Sequence, residues 1–130
     1  MTKDAKATPT PHRLVQFDVV VAHGFVLIEL AAVVDALRIA NRVTARPMFD
    51  WTYRSHLGGP VKSFSDASVE TNRFEDRPQA DYLFVIGNSN QDEPHLSMGS
   101  VIDRYTNRGA QVYLLAEAAS RYIRERGAEA

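Results

Sequence analysis

Cysteine is missing from this 130-residue chain, and its absence excludes three kinds of chemistry. Without a thiol the protein forms no disulfide, holds no metal through thiolates and has no cysteine nucleophile. The formal net charge is only −1 at pH 7, so no excess of basic residues points to nucleic acid as a partner of this segment. No apolar run reaches the length of a membrane span, and the N-terminal residues lack the apolar core of a signal peptide. We therefore expect a cytoplasmic protein.

Motifs that bind phosphates or dinucleotides are also missing. The chain contains neither GxGxxG nor GxxxxGK[ST], the glycine-rich turns that hold dinucleotides and nucleotide phosphates. Its four histidines, His12, His23, His56 and His95, lack the spacing of a metal site. We therefore expect no cofactor and no metal. His23 follows the first predicted strand, where it either lines a pocket or is a solvated loop histidine.

The rest of the composition is that of an ordinary globular domain. Apolar residues make up 45% of the chain and charged residues 24%, as in most globular proteins, and a chain of this length buries a real core. Residues 1–13 are polar and include two prolines. We predict a disordered leader over residues 1–13 and one domain over residues 14–130.

Strand and helix patterns alternate along that domain. Apolar runs and period-two alternation predict strands over 14–22, 51–57, 61–64, 67–70, 81–87 and 111–115. Helical periodicity predicts helices over 26–43, 95–107 and 116–126. This order predicts an α/β fold, with a parallel, doubly wound, flavodoxin-like sheet and helices on both of its faces.

One carboxylate stands out on the first predicted helix. Asp35, Arg38 and Arg42 share one side, whereas Glu29 points the opposite way. Two interpretations stay open: Glu29 caps free backbone N–H groups or reaches solvent at the helix start, or it overhangs the carboxyl edge of the sheet, where α/β proteins keep their sites. The face that Glu29 shares is expected to cover the sheet and consists of Ala32, Val33, Ala36, Leu37 and Ala40.

The turn after Leu115 has the strand–turn–helix form of a nucleophile elbow. An elbow needs serine or cysteine at its tip, but the tip here falls at Ala116–Ala118. Ser120 lies a turn further on, where its hydroxyl is expected to bond a backbone carbonyl. The elbow is therefore predicted to lack a nucleophile. Its helix is expected to turn Glu125 toward water and to bury a stripe of Ala118, Tyr122 and Ile123.

Taken together, these residues resemble the N-terminal part of the ThiJ/PfpI superfamily, whose fold is that of class I glutamine amidotransferases. Within it, the chain is most similar to the amidase-like sensor domains that precede the DNA-binding domain of AraC-type transcription regulators. The resemblance extends over about residues 18–123. It rests on an ordered set of short matches: Gly24–Phe25, Glu29–Ala31, Asp35–Arg42, Trp51, Gly58–Val61, Asp81–Gly87 and Arg108–Ala110.

The resemblance implies a pocket without the family's chemistry. Glu29 matches a glutamate that approaches the elbow cysteine in this superfamily, and Ala116 stands where that cysteine would be. Glu117 stands where a histidine often follows, and the family's double glycine is here Gly87–Asn88. Alanine cannot form an acyl-enzyme or a hemithioacetal. The ligand-binding residues that we expect are His23, Gly24, Glu29, Gly87, Asn88, Ala116 and Glu117.

We therefore expect a non-catalytic sensor domain that binds a small-molecule effector and forms a homodimer. Family domains continue through further strands after the elbow helix, so the chain is expected to be incomplete relative to them. Nucleic acid would be bound only through a domain absent from this chain. Two alternatives remain: a non-cysteine enzyme that uses Glu29 or Glu117 as general acid or base, and a degenerate scaffold that only dimerises.

Overall fold

The computed structural model describes residues 13–44, 46–88 and 98–127. The predicted leader, apart from Arg13, lies outside these ranges. No helix within them is long and apolar enough to cross a membrane. The helices are α1 (Leu27–Val43), α2 (Gly99–Thr106) and α3 (Ala116–Gly127). The strands are β1 (Val15–Val20), β2 (Phe49–Ser55), β3 (Gly59–Lys62), β4 (Ser68–Arg73), β5 (Tyr82–Val85) and β6 (Gln111–Leu114).

These strands form one sheet in the order β3-β4-β2-β1-β5-β6. All neighbours run parallel except β3, which forms an antiparallel hairpin with β4. At the centre, Val19 of β1 stands opposite Tyr53 of β2 and Phe84 of β5. The predicted parallel α/β sheet is confirmed, and the two short strands expected near residues 61–70 are its antiparallel edge.

Alternate residues of the central strands pack into two separate hydrophobic cores, one on each face of the sheet. Val19 is fully buried on one face of the sheet, where Leu30 of α1 belongs to the same cluster. Val20 is buried on the other face, with Ile102 of α2 and Tyr122 of α3. The apolar run in β1 follows from this arrangement, because a strand covered on both faces has no side that needs polar residues.

The inner face of α1 is rotated from the expected one, although Leu37 and Val33 of the expected face do pack inward. Leu30 and Leu37 are its buried residues, whereas Ala32 and Ala36, which were expected to face the sheet, are exposed. Burial free energy grows with apolar area, so the leucines occupy the interface and leave the alanines outside. The predicted end of the helix is confirmed, since α1 stops at Val43.

A polar network is buried on the α2 side of the sheet. Asp18 of β1 accepts a hydrogen bond of 2.6 Å from the Tyr105 hydroxyl and lies 3.3 Å from Nε of Arg54 on β2. Burial raises the pKa of the Asp18 carboxyl, against the opposing effects of Tyr105 and Arg54. Burial, with the Asp18 carboxylate beside it, also raises the pKa of Tyr105, so the phenol stays a donor. The network joins β1, β2 and α2.

Tyr105→Phe removes this buried hydroxyl and keeps the ring. We expect a loss of about 1.5–3 kcal/mol in unfolding free energy, because a hydrogen bond to a buried charged group is lost. Tyr113→Phe is the matched control: it removes an exposed 2.7 Å bond to Gln111 and should change stability by less than about 0.5 kcal/mol. Urea unfolding followed by circular dichroism measures both, and equal losses would contradict the role of the network.

Candidate functional site

The sheet changes its winding direction between β1 and β5. Residues that follow these two strands contact the peptide of Gly87. Chain connections lead away from β1 to opposite sides, which leaves a crevice at the carboxyl ends of the two strands. There the Gly87 N–H donates to Oε1 of Glu29 at 2.9 Å. The Gly87 carbonyl accepts from the N–H of Val26 at 3.0 Å. The start of α1 therefore holds Gly87 by both of its backbone groups.

This geometry favours the second interpretation of Glu29 over the first. The half-buried carboxylate does accept a backbone N–H, but that N–H belongs to the residue beyond β5 and not to its own helix. It therefore overhangs the carboxyl edge of the sheet. Neither a cap for α1 nor a group directed only to solvent describes it.

Gly87 is closely packed against Glu29 and the start of α3. A Cβ there would lie 2.9 Å from Oε1 of Glu29 and 3.4 Å from the backbone nitrogen of Glu117. The structure thus brings together three of the residues named from the sequence: Glu29, Gly87 and the main chain of Glu117. The Glu117 side chain is exposed. Ala116 begins α3 at this point, and its side chain is outside the described part.

His23, Gly24 and Asn88 fix the loop between β1 and α1. The Asn88 amide donates to the main-chain oxygens of Ala22 and His23. The Gly24 N–H donates to the Lys62 carbonyl at 2.8 Å, and the Lys62 N–H donates to Nδ1 of His23 at 3.3 Å. Gly24 has φ of +86°, a backbone conformation that favours glycine. His23 and Gly24 are thus hydrogen-bonded to Lys62, at the end of β3.

The grouped residues offer recognition rather than a nucleophile. Glu29 supplies a carboxylate and the start of α3 supplies backbone N–H groups, while the chain contains no cysteine. Among the described residues, no group of three or more histidine, aspartate or glutamate side chains could hold a metal ion. The arrangement can bind a polar molecule at the sheet edge.

Two cavities of about 40 Å³ each lie at the same edge, and His56 lines both. The predicted strand over 51–57 includes His56, whereas β2 ends at Ser55. His56 therefore follows a parallel strand, and residues in that position meet at one edge of the sheet. The stripe of α3 also differs from the expected one. Ile123 is 67% exposed, whereas Glu125, expected to face water, is half-buried and lines the first cavity.

No family model and no curated protein matches the sequence, but solved structures match the fold. The AraC family transcriptional regulator from Pseudomonas putida has a TM-score of 0.65 at 19% identity, over 76% of this chain and 62% of that chain. DJ-1beta from Drosophila melanogaster has a TM-score of 0.70 at 17% identity, over 88% and 61%. A mutant DJ-1 superfamily protein from Salmonella typhimurium has a TM-score of 0.69 at 22% identity, over 88% of this chain and 62% of that chain.

These matches define the fold class. The chain has the fold of the DJ-1 superfamily, the α/β class to which the ThiJ/PfpI resemblance pointed. Regulators and DJ-1 proteins both share this fold, so the fold leaves the activity open. The chain spans 62% of the Pseudomonas regulator's length.

Gly87→Ala tests the contact between Gly87 and Glu29. The new methyl group would displace the carboxylate, so we expect a loss of about 1–2 kcal/mol in unfolding free energy. In a Glu29→Ala background the same change should cost at least about 0.5 kcal/mol less. Urea unfolding of the four proteins measures this coupling. An equal cost in both backgrounds would show that the carboxylate does not restrict position 87.

Proposed function

We propose that this chain is a non-catalytic, ligand-sensing domain of a cytoplasmic AraC-type transcription regulator. The observation that carries the proposal is the carboxylate of Glu29, fixed on Gly87 beside the start of α3, in a chain without cysteine. The recognition group of an amidotransferase-like pocket is present, while Ala116 at the elbow has no atom that could attack a carbonyl.

The regulatory role draws support from two of the fold matches. One is the AraC family regulator from Pseudomonas putida, and the other is a putative transcriptional regulator protein from Vibrio parahaemolyticus, with a TM-score of 0.61 over 78% of this chain. With a net charge of −1, this chain would leave DNA contact to another domain. Its ligand would act by binding two states of the regulator with different affinities.

The effector that we propose is a small nitrogenous compound. One oxygen of Glu29 accepts the Gly87 N–H, so the carboxylate has acceptor capacity left for an N–H donor of the ligand. Because Gly87 is held by both backbone groups, the acceptor is already oriented before binding, which lowers the entropic cost of recognition. The proposed contacts come from the expected set of His23, Gly24, Glu29, Gly87, Asn88, Ala116 and Glu117.

A second copy of the chain is the proposed protein partner. Ile28 at the start of α1 is 76% exposed and Phe64 beyond β3 is 71% exposed. Both border an open apolar groove of about 570 Å³ that Phe25 and Ala31 also line. A protruding apolar side chain beside a groove on the same surface suits a twofold contact, in which each copy fills the other's groove.

Acetamide is a probe that separates the sensor from the enzyme. We expect ¹H–¹⁵N spectra of the wild type to show a saturable shift at the Gly87 amide, without release of ammonia. Glu29→Gln should weaken binding by roughly tenfold, since hydrogen bonds to charged groups are the stronger ones. Glu70→Gln, an exposed carboxylate on β4, is the matched control. Ammonia release that Glu29→Gln abolishes would support the enzyme instead, and no shift at Gly87 would count against both.

Ile28→Asp tests the proposed dimer. A charge placed in an apolar contact is strongly unfavourable, so we expect sedimentation to show a dimer for the wild type and a monomer for the variant. Arg38→Asp on the exposed side of α1 should leave the dimer intact. A wild type that stays monomeric at about 100 μM, well above typical micromolar dissociation constants, would refute this partner.

A further inference from the structure

A short segment between β1 and α1 lies between the proposed effector site and the proposed dimer contact. Phe25 forms an isolated parallel bridge with Ser63, just after β3, and an isolated antiparallel bridge with Asn88, beyond β5. Phe25 is buried, with 1% of its surface exposed. It therefore connects the turn that follows β3 to the residues that follow β5.

Two hydrogen bonds meet on the peptide group between Phe25 and Val26. Its N–H, which is that of Val26, donates to the Gly87 carbonyl at 3.0 Å. Its carbonyl, which is that of Phe25, accepts from the Phe64 N–H at 3.0 Å. A peptide group is planar and resists twisting, so its two ends move together. A single rigid unit thus joins the main chain of Gly87 to that of Phe64.

The turn that carries Phe64 is held by its own hydrogen bonds. The hydroxyl oxygen of Ser63 accepts from the N–H groups of Ser65 and Ala67 at 3.2 and 3.0 Å, and the Ser63 N–H donates to the Ala67 carbonyl at 2.8 Å. These internal bonds resist deformation of the turn. A displacement of the peptide before Val26 therefore reaches the side chain of Phe64, which is 71% exposed.

The same peptide group forms part of the proposed dimer contact. Phe25 and Val26 line the apolar groove of about 570 Å³ that we propose for the second copy. Ile28, whose exposed side chain borders that groove, directly precedes Glu29 in the first turn of α1. The effector site and the groove are thus built on the same stretch of backbone.

We propose that binding of a nitrogenous effector at Glu29 and Gly87 strengthens the pairing of two copies of the chain. The inference rests on the proposed function, because it uses the effector site and the twofold contact described there. A ligand N–H gives the carboxylate a second partner, so that Glu29 stays on Gly87 and the peptide before Val26 keeps one orientation. A contact surface that is already ordered loses less conformational entropy when it pairs.

The separate copy and the paired copy are the two states between which the effector discriminates. Because the coupling free energy belongs to both equilibria, an effector that strengthens pairing must itself bind more tightly to paired copies. Each dimer contains two effector sites. A tenfold change in the dimer dissociation constant, of the order of measured couplings, therefore corresponds to about a threefold change in affinity at each site.

Sedimentation of the wild type with and without saturating acetamide tests the coupling. We expect acetamide to lower the dimer dissociation constant by about tenfold. Glu29→Gln at the same acetamide concentration controls for effects of the amide on the solvent and should show a much smaller change. An unchanged dimer dissociation constant, together with a saturable shift at Gly87, would overturn the coupling and leave both the sensor and the dimer standing. A wild type that does not dimerise, or that shows no shift at Gly87, would overturn the coupling together with that part of the proposed function.

Val26→Pro removes the N–H that Gly87 accepts. Val26 has φ of −86° and ψ of 106°, close to the backbone conformation of proline. Val26→Ala is the matched control, because it changes the same side chain and keeps the N–H. We expect both variants to dimerise and to bind acetamide, and only Val26→Ala to keep the tenfold effect. An undiminished effect in Val26→Pro would show that this peptide group does not connect the two sites.

Ile28→Asp tests the coupling without proline. This variant is expected to stay monomeric, so it should bind acetamide at every protein concentration with the affinity of the dilute wild type, about threefold below that of the concentrated wild type. The shift of the Gly87 amide measures both affinities. A monomeric Ile28→Asp protein that binds acetamide as tightly as the concentrated wild type would overturn the coupling.

Discussion

The arrangement at the carboxyl ends of the strands depends on the hydrogen bonds of the Gly87 peptide. Its N–H and its carbonyl are both engaged by the start of α1, through Glu29 and the N–H of Val26. These two hydrogen bonds connect the β1–α1 unit to β5, the strand on the other side of the place where the sheet changes its winding direction. A Cβ at this position would meet Oε1 of Glu29 and approach the start of α3, so three elements lie close together at Gly87.

The opposite face depends on a different kind of interaction. Asp18, Arg54 and Tyr105 place an ion pair and a hydrogen bond inside an apolar layer. A buried charge is costly when unpaired, so β1, β2 and α2 are restricted to arrangements in which the three groups meet. The ion pair joins the two strands, and the hydrogen bond from the Tyr105 hydroxyl links α2 to Asp18 of β1. The network therefore restricts how α2 lies on the sheet.

These two constraints leave a rigid edge with distinct openings on its two sides. Near α1 a fixed carboxylate lies at the crevice, in a chain that has no cysteine. Under α3 a small cavity is lined by side chains from α2, β6 and α3.

The sequence by itself determined the order of the elements, the end of α1 at Val43 and the lack of a cysteine nucleophile, because periodicity, turn residues and composition are local properties. It also indicated that Glu29 is unusual, and the family resemblance placed it near the elbow at Ala116; its hydrogen bond with Gly87 was found only in the structure. Tertiary structure decided the rotation of α1, the partners of Asp18 and the cavity that brings His56 and Glu125 together. Each of these depends on contacts between residues far apart in the chain, and helical or strand periodicity carries no information about which distant surface a side chain will meet.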